Sequence, residues 1–359
     1  MILINLVIVF FSLMSLLILH EWGHFIVAKK LGVRVEEFGL GYPPRLISRK
    51  WGETVYSLNL LPFGAFVRIF GEDEKIEENR SFSAKPVWQR MLIVLGGVIS
   101  FWLAAFIIFS LLSGIWGLPS FVSDDFAGEA AIQIIDVMPG SPAEKGGLLP
   151  GDFILGFKSE RGMLAIDQIG QIQDLAKTNA GKEISLLIKR GKDIIEKKLI
   201  PRFSPPSGEG PLGLALVRVA KIKTKWYQAP LKGAEITVKK TIQIPLFLAD
   251  IFSKIFKKEK ISGLQIMGPV GMGALMGDAL KAGVDNFLLF LAMISIWMAC
   301  FNMLPVPALD GGRFFFLIIE AIRGKPFPVK LEQRITTFFF LLLVFLMAFV
   351  TFKDITHLF

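Results

Sequence analysis

The sequence predicts a polytopic α-helical membrane protein. It has four transmembrane helices, a membrane-associated β-rich segment on the cytoplasmic side, and one small α+β domain inserted on the extracytoplasmic side. Three observations predict it. The 359 residues are 53% hydrophobic with mean hydropathy +0.56, and only 20% are charged, against about 25% in a soluble domain. Four stretches, 1–25, 91–123, 286–309 and 336–352, carry almost no charge over the roughly 17–25 residues that cross a bilayer. The regions between them are patterned as strands and turns. This composition excludes a disordered chain, and a single Cys300 excludes a disulfide scaffold or a Cys-based zinc finger. The net charge of +9 fits basic loops at an anionic leaflet, with no need of nucleic acid.

The elements follow in order. Residues 1–30 form the first span, which runs without a cleavage site into His20-Glu21-Trp22-Gly23-His24 and so reads as retained, not as a signal peptide. Residues 31–90 form the β-rich, membrane-associated or re-entrant segment. Val33–Val35, Thr54–Leu58 and Ala65–Arg68 read as short strands, punctuated by Gly39, Gly41, Pro43-Pro44, Gly52 and Pro62. Residues 91–118 form the second span, 125–203 the inserted domain, and 204–284 a Pro/Gly linker followed by an amphipathic interfacial region. Lysines 232, 239, 240, 254, 257 and 258 alternate there with Ile, Leu and Phe, and Pro245 is expected to break or bend the helix. Residues 285–312 form the third span and 333–353 the fourth. Lys29, Lys30 and Arg34 after the first span, and Arg313, Arg323, Lys325, Lys330 and Arg334 between the last two, mark the cytoplasmic side. The N-terminus and the inserted domain then lie outside.

Within 125–203, strands are expected at 132–137, 153–157, 183–189 and 194–200, and helices at 143–145 and 169–178. The turns Pro139-Gly140-Ser141-Pro142 and Pro150-Gly151-Asp152, set in this apolar pattern, resemble a bacterial PDZ domain. That resemblance implies a peptide or protein ligand added as a strand.

His20 and His24 stand at i and i+4, on one face of an apolar helix, with Glu21 beside them. His-Glu-x-x-His binds Zn²⁺ through its two His and supplies the Glu as general base of a metalloprotease. Two of the chain's three His fall inside a span, where ionisable groups are costly and functional. The third, His357, reads as a solvent residue. A catalytic zinc needs a third protein ligand at the same depth. Asp310 is the leading candidate, in the Pro- and Gly-broken run Asn302-Met303-Leu304-Pro305-Val306-Pro307-Ala308-Leu309-Asp310-Gly311-Gly312. Cys300, nearly three turns deeper, is the alternative.

With these motifs together, the chain resembles the site-2 protease family of intramembrane zinc metalloproteases, nearest to the bacterial regulator of sigma-E protease (RseP) type. The resemblance covers nearly the whole chain. It implies zinc on His20, His24 and Asp310, and Glu21 as the base. It also implies a transmembrane-protein substrate held as an extended strand by Asn302 and the segment 54–70, and a multi-pass place in the bacterial inner membrane with the site toward the cytoplasm. Gly268-Pro269-Val270-Gly271 resembles a Gly-Pro motif before the third span of these enzymes. The sequence departs from the pattern at Ser100, which stands where the family carries an Asn and is expected to contact substrate in its place. It also carries one PDZ-like unit where some relatives carry two. Three other functions fit parts of the sequence. A membrane zinc peptidase acting on misfolded loops would need neither Asp310 nor Asn302. A PDZ scaffold without catalysis would have no use for Glu21. A metal transporter would need further ionisable residues along the spans.

Overall fold

The computed structural model describes residues 2–159, 162–191, 193–257 and 267–358. In chain order these form α1 (Ile2–Lys30), β1 (Val35–Trp51), β2 (Thr54–Ile69), α2 (Val87–Ile115), β3 (Leu118–Val122), β4 (Ala131–Val137), α3 (Pro142–Lys145), β5 (Phe153–Ser159) and β6 (Gly162–Ala165). There follow α4 (Ile169–Thr178), β7 (Ile184–Arg190), β8 (Asp193–Leu199), β9 (Leu214–Ile222), α5 (Ala229–Phe256), α6 (Pro269–Ala282), α7 (Val284–Asn302), α8 (Asp310–Arg323) and α9 (Val329–Leu358). Two compact units result, one from Met1–Leu111 with Pro230–Phe359, the other from Leu112–Ala229.

Among the described residues four helical stretches are long and apolar enough to cross a membrane: Val7–Lys30, Val87–Ile115, Val284–Asn302 and Val329–Asp354. The second is the most buried of the four and the last the most exposed, so α2 is the central post. One cluster, with Val9 and Leu16 of α1, Val98 and Phe101 of α2, Met276 of α6 and Phe287 and Leu291 of α7, packs the upper half. A second cluster, with Ala28, Val33, Val35, Ile69, Ile93 and Leu317, packs the end of α1 against the β-segment, α2 and α8.

The β-segment is two long strands, not three short ones. They join at Gly52-Glu53 and fold back so that residues 37–40 of β1 pair on both sides, with 65–68 and with 55–58. Among the described residues no strand pairs with the outer side of 65–69, which makes it an edge. At the far end Arg45–Trp51 is exposed and carries Ile47 and Trp51, while Thr54, Ser57 and Asn59 on the strand opposite are buried.

The second unit holds one antiparallel sheet in the order β3-β9-β4-β5-β7-β8, with β6 on β5. Ile132, Ile134, Ile154, Leu186 and Ile188 point into its core against Ile172 of α4 and Leu148. Alternation supplied those inward positions, and Ser141 caps α3 by accepting the Glu144 N–H. This unit is wider than 125–203. β3 and β9 lie outside those bounds, and β9 falls in the region read as linker because its Leu214–Val219 run follows directly on the Pro/Gly stretch.

Two further expectations change. Of the two effects expected of Pro245, a break or a bend, the break does not occur: α5 continues from Ala229 to Phe256 with the proline inside. The third span stops at Asn302, not 312, because Pro305 and Pro307 cannot continue a helix, and Ala308 takes a left-handed φ of 106°. Asp310 is therefore the first residue of a new helix, α8, not the last of a span. Residues 258–266 of the region read as interfacial lie outside the described residues, as does the side chain of His357.

Candidate metal centre

His20 and His24 sit one turn apart on α1, both 9% exposed. Their placement depends on glycines. A Cβ on Gly23 would lie 2.1 Å from the Gly96 carbonyl oxygen, and one on Gly96 2.6 Å from that of Gly23. So α1 and α2 cross backbone to backbone, as small residues permit in a membrane. Gly97 leaves room for the rings, since its Cβ would lie 2.2 Å from His24 Nε2. Phe101, one turn further along α2, stacks on the His20 ring at 4.6 Å.

Asp310 reaches the same point from α8. Its Oδ2 lies 3.3 Å from His20 Nε2 and 3.4 Å from His24 Nε2, and the two Nε2 atoms are 3.4 Å apart. Gly311 and Gly312 make this possible. Cβ atoms there would lie 2.2 Å from the Leu304 carbonyl oxygen and 2.4 Å from that of Val306, so the 303–309 turn lies flat on the start of α8. Two ion pairs fix α8. Arg313 donates to the carboxylate and the backbone carbonyl of Glu72, just past β2, and Arg90 of α2 pairs with Glu320. Burial nevertheless pushes the Glu72 carboxyl above its ordinary value, despite the Arg313 guanidinium. A cavity of about 340 Å³ lined by Glu72, Arg90, Arg313 and Glu320 extends to Asp310.

The donor set fits a zinc ion. Four ligands at about 2.0–2.1 Å in a tetrahedron stand about 3.3–3.4 Å from one another, which is the spacing of these three atoms. His24 Nδ1 lies 2.9 Å from the Ile93 carbonyl, which can only accept, so that nitrogen carries the proton and Nε2 offers its lone pair. Asp310 Oδ2 is buried with no hydrogen-bond donor. Three such ligand atoms turned on one another leave a place that a metal cation can occupy. Among the described residues this is the one group of three or more His, Cys, Asp or Glu side chains so placed. Cys300 is not in it; its thiol faces the Thr241 carbonyl at 3.9 Å.

Glu21 lies next to His20 and accepts the backbone N–H of Val67, on the β2 edge, at 3.0 Å. Asn302 and Ser100 are not brought to the donor triangle. The Asn302 amide donates to the Met298 carbonyl of its own helix at 3.0 Å, and the Ser100 hydroxyl donates to Gly97 at 2.6 Å. Both polar groups are engaged within the helix that carries them. Gly97, Phe101, Ile93 and Arg313 were not singled out from sequence as parts of the site, whereas Gly311 and Gly312 were, within the Pro- and Gly-broken run. The paired glycines beside each ligand were the available signal.

The family model for peptidase family M50 matches residues 8–346. The chain belongs to that family. It is a metalloendopeptidase of the membrane with Zn²⁺ as its cofactor. It is 36% identical to a putative zinc metalloprotease of Clostridium perfringens over 95% of both chains. It is 28% identical to the regulator of sigma-W protease RasP of Bacillus subtilis over 99% of both. It is also 29% identical to a probable membrane metalloprotease, ARASP2, chloroplastic, of Arabidopsis thaliana, over 96% of this chain and 78% of that one.

Proposed function

We propose that this M50 peptidase cuts within the spans of membrane-protein substrates, with His20, His24 and Asp310 holding the zinc and Glu21 as general base. One observation carries the reading. The donor triangle, with Glu21 one residue away, lies against a strand edge whose outward Val67 N–H already holds the Glu21 carboxylate. When bound, zinc supplies Lewis-acid polarisation of the scissile carbonyl and acidifies water toward a pKa of about 7. Glu21 takes the proton of the attacking water and returns it to the leaving amine. A helical substrate hides its carbonyls in i→i−4 bonds and must be extended before it is cut. The edge 65–69 accepts that extended chain as an added strand, so helix-weak spans are the better substrates.

Residues 112–229 act as a PDZ-like peptide-binding domain; the strand and helix order β4-α3-β5-α4-β7-β8 supports it. The Lys and Arg that follow the first span and separate the last two support a plasma-membrane topology with this domain outside and the zinc site toward the cytoplasm. The relative that regulates sigma-W supports an anti-sigma-type membrane protein as substrate, and a remnant signal peptide has the same chemistry. Cleavage of a single-span substrate in liposomes tests the reading. Wild type cuts within the span, chelator stops it, and Glu21→Gln and Asp310→Asn are inactive. Cleavage by Glu21→Gln at the wild-type rate refutes the assigned base. Val67→Pro removes the N–H that holds Glu21 and disrupts the edge, and lowers cleavage at least ten-fold; unchanged cleavage refutes both the anchoring of the base and strand addition there.

A further inference from the structure

The sheet of residues 112–229 ends on β3, a strand laid along the edge of β9. β3 pairs antiparallel with β9, Leu118 opposite Ile222 through Val122 opposite Arg218, and among the described residues has no other strand partner. The residues that follow are held by polar contacts. Asp124 accepts the N–H groups of Ile169 and Gly170, the first two of α4, each at 2.9 Å. The Arg218 guanidinium, on a residue 4% exposed, donates to the carbonyls of Ser123 at 2.9 Å and Asp124 at 2.7 Å. Little apolar burial adds to this. Leu118 is the one buried residue of β3, Phe121 is 76% exposed, and Pro119 has no N–H to give the ladder. An edge strand held by pairing and polar contacts, with almost no core side chains, lies at the low-stability end of a fold.

We propose that the β9 edge and the start of α4 form a docking groove for an extended peptide bearing an acidic side chain, and that the chain's own segment 118–126 fills it until such a peptide displaces it. This rests on the peptide-binding reading of residues 112–229. The occupant is defined by what β3 shows the groove to hold: a strand antiparallel to β9, two backbone carbonyls on Arg218, and a carboxylate on the α4 N–H groups. The tethered segment competes at the effective concentration of a short linker, of millimolar order, so free peptide binds weakly unless it reaches the groove as part of a membrane-held substrate. Displacement has a consequence for the chain. The link from α2 to the sheet lengthens from two residues, Trp116 and Gly117, to the fifteen of 116–130.

Ser120 and Ala220 are direct cross-strand partners, so Ser120→Cys with Ala220→Cys allows a disulfide that locks β3 on β9. The probe is a fluorescent peptide with the sequence of residues 118–126, blocked at both ends, titrated into full-length protein in detergent. The reduced double variant binds it, the oxidised form of the same protein does not, and Asp124→Ala binds it about five- to ten-fold more tightly than wild type. Addition of peptide to wild type speeds hydrogen exchange at Ser120 to Val122. Equal binding by oxidised and reduced protein overturns the displaceable strand and leaves the peptide-binding reading standing. No binding by the reduced form or by Asp124→Ala overturns both.

Discussion

Gly97→Ala adds one methyl group where the metal centre has no room for it. The new Cβ stands 2.2 Å from His24 Nε2, 2.5 Å from its Cε1 and 2.7 Å from His20 Cε1. An ordinary contact is about 3.5 Å, so the His24 ring must retreat by about 1.3 Å, or α1 and α2 must part by as much. The second route is opposed by the Gly23–Gly96 crossing, where the backbones already touch. Metal bonds tolerate about 0.2 Å, so the movement removes His24 from the ligand set. Zinc affinity falls by more than the roughly 10–100-fold that loss of an outer partner costs, while overpacking costs stability about 1–3 kcal/mol. The assay is zinc competition against a chromophoric chelator on detergent-purified protein, beside cleavage of a single-span substrate. Gly277→Ala is the control, because its Cβ meets nothing within 4 Å and a helix gains from the substitution. Wild-type zinc affinity in Gly97→Ala would show that these rings do not hold the ion.

Three further outcomes follow from single contacts. Gly311→Ala puts a Cβ 2.2 Å from the Leu304 carbonyl oxygen, shifts Asp310 and lowers zinc stoichiometry measured by atomic absorption, with the fold of residues 112–229 unchanged by hydrogen exchange. Glu320→Gln leaves the mostly buried Arg90 charge without its counter-ion, costs about 3 kcal/mol and lowers the thermal midpoint; a midpoint equal to wild type refutes the anchoring of α8 on α2. Burial would raise the Asp152 carboxyl, but the Arg190 guanidinium and the Leu149 N–H outweigh it and hold it below the ordinary value of about 3.9. The stabilisation is then complete above that value and lost as pH falls through the depressed one. Exchange protection of β4 and β5, corrected for intrinsic rates, therefore drops below about pH 4 in wild type and loses that step in Asp152→Asn.

The spans and the metal ligands were legible because each leaves a strong local mark. Nearly charge-free runs mark the helices, and two His one turn apart inside such a run supply two of the three candidate donors. Asp310 was found by its neighbours, the prolines and glycines that break a helix at membrane depth. Its place at the start of α8 was not, because the apolar run 286–309 does not mark where the helix stops. β9 was hidden by the Pro/Gly stretch before it, and β3 by its position on the tail of an apolar span. Both pair over long sequence separations, which no local pattern encodes. Asn302 and Ser100 are a different case. Polar residues beside the motifs stood out, yet each bonds a carbonyl three or four residues back in its own helix.

The glycines that the sequence offered as punctuation set the accuracy of the site. Within a bilayer, apolar side chains gain nothing by leaving lipid, so helices are held by close packing. Side chains at such a crossing can change rotamer and let a metal ligand drift by an ångström, several times what zinc coordination tolerates. Backbone in contact with backbone has no such freedom. Gly23 and Gly96 fix the α1–α2 distance, Gly97 the space for the rings, and Gly311 and Gly312 the approach of Asp310. Glu21 follows the same rule, because its carboxylate is held by a main-chain N–H, not by a side chain. Each group assigned to the chemistry is thus referred to main chain within a residue or two of itself or of its partner. A one-methyl change at these glycines should therefore disturb function more than the loss of a large lipid-facing side chain such as Phe345, which is 67% exposed.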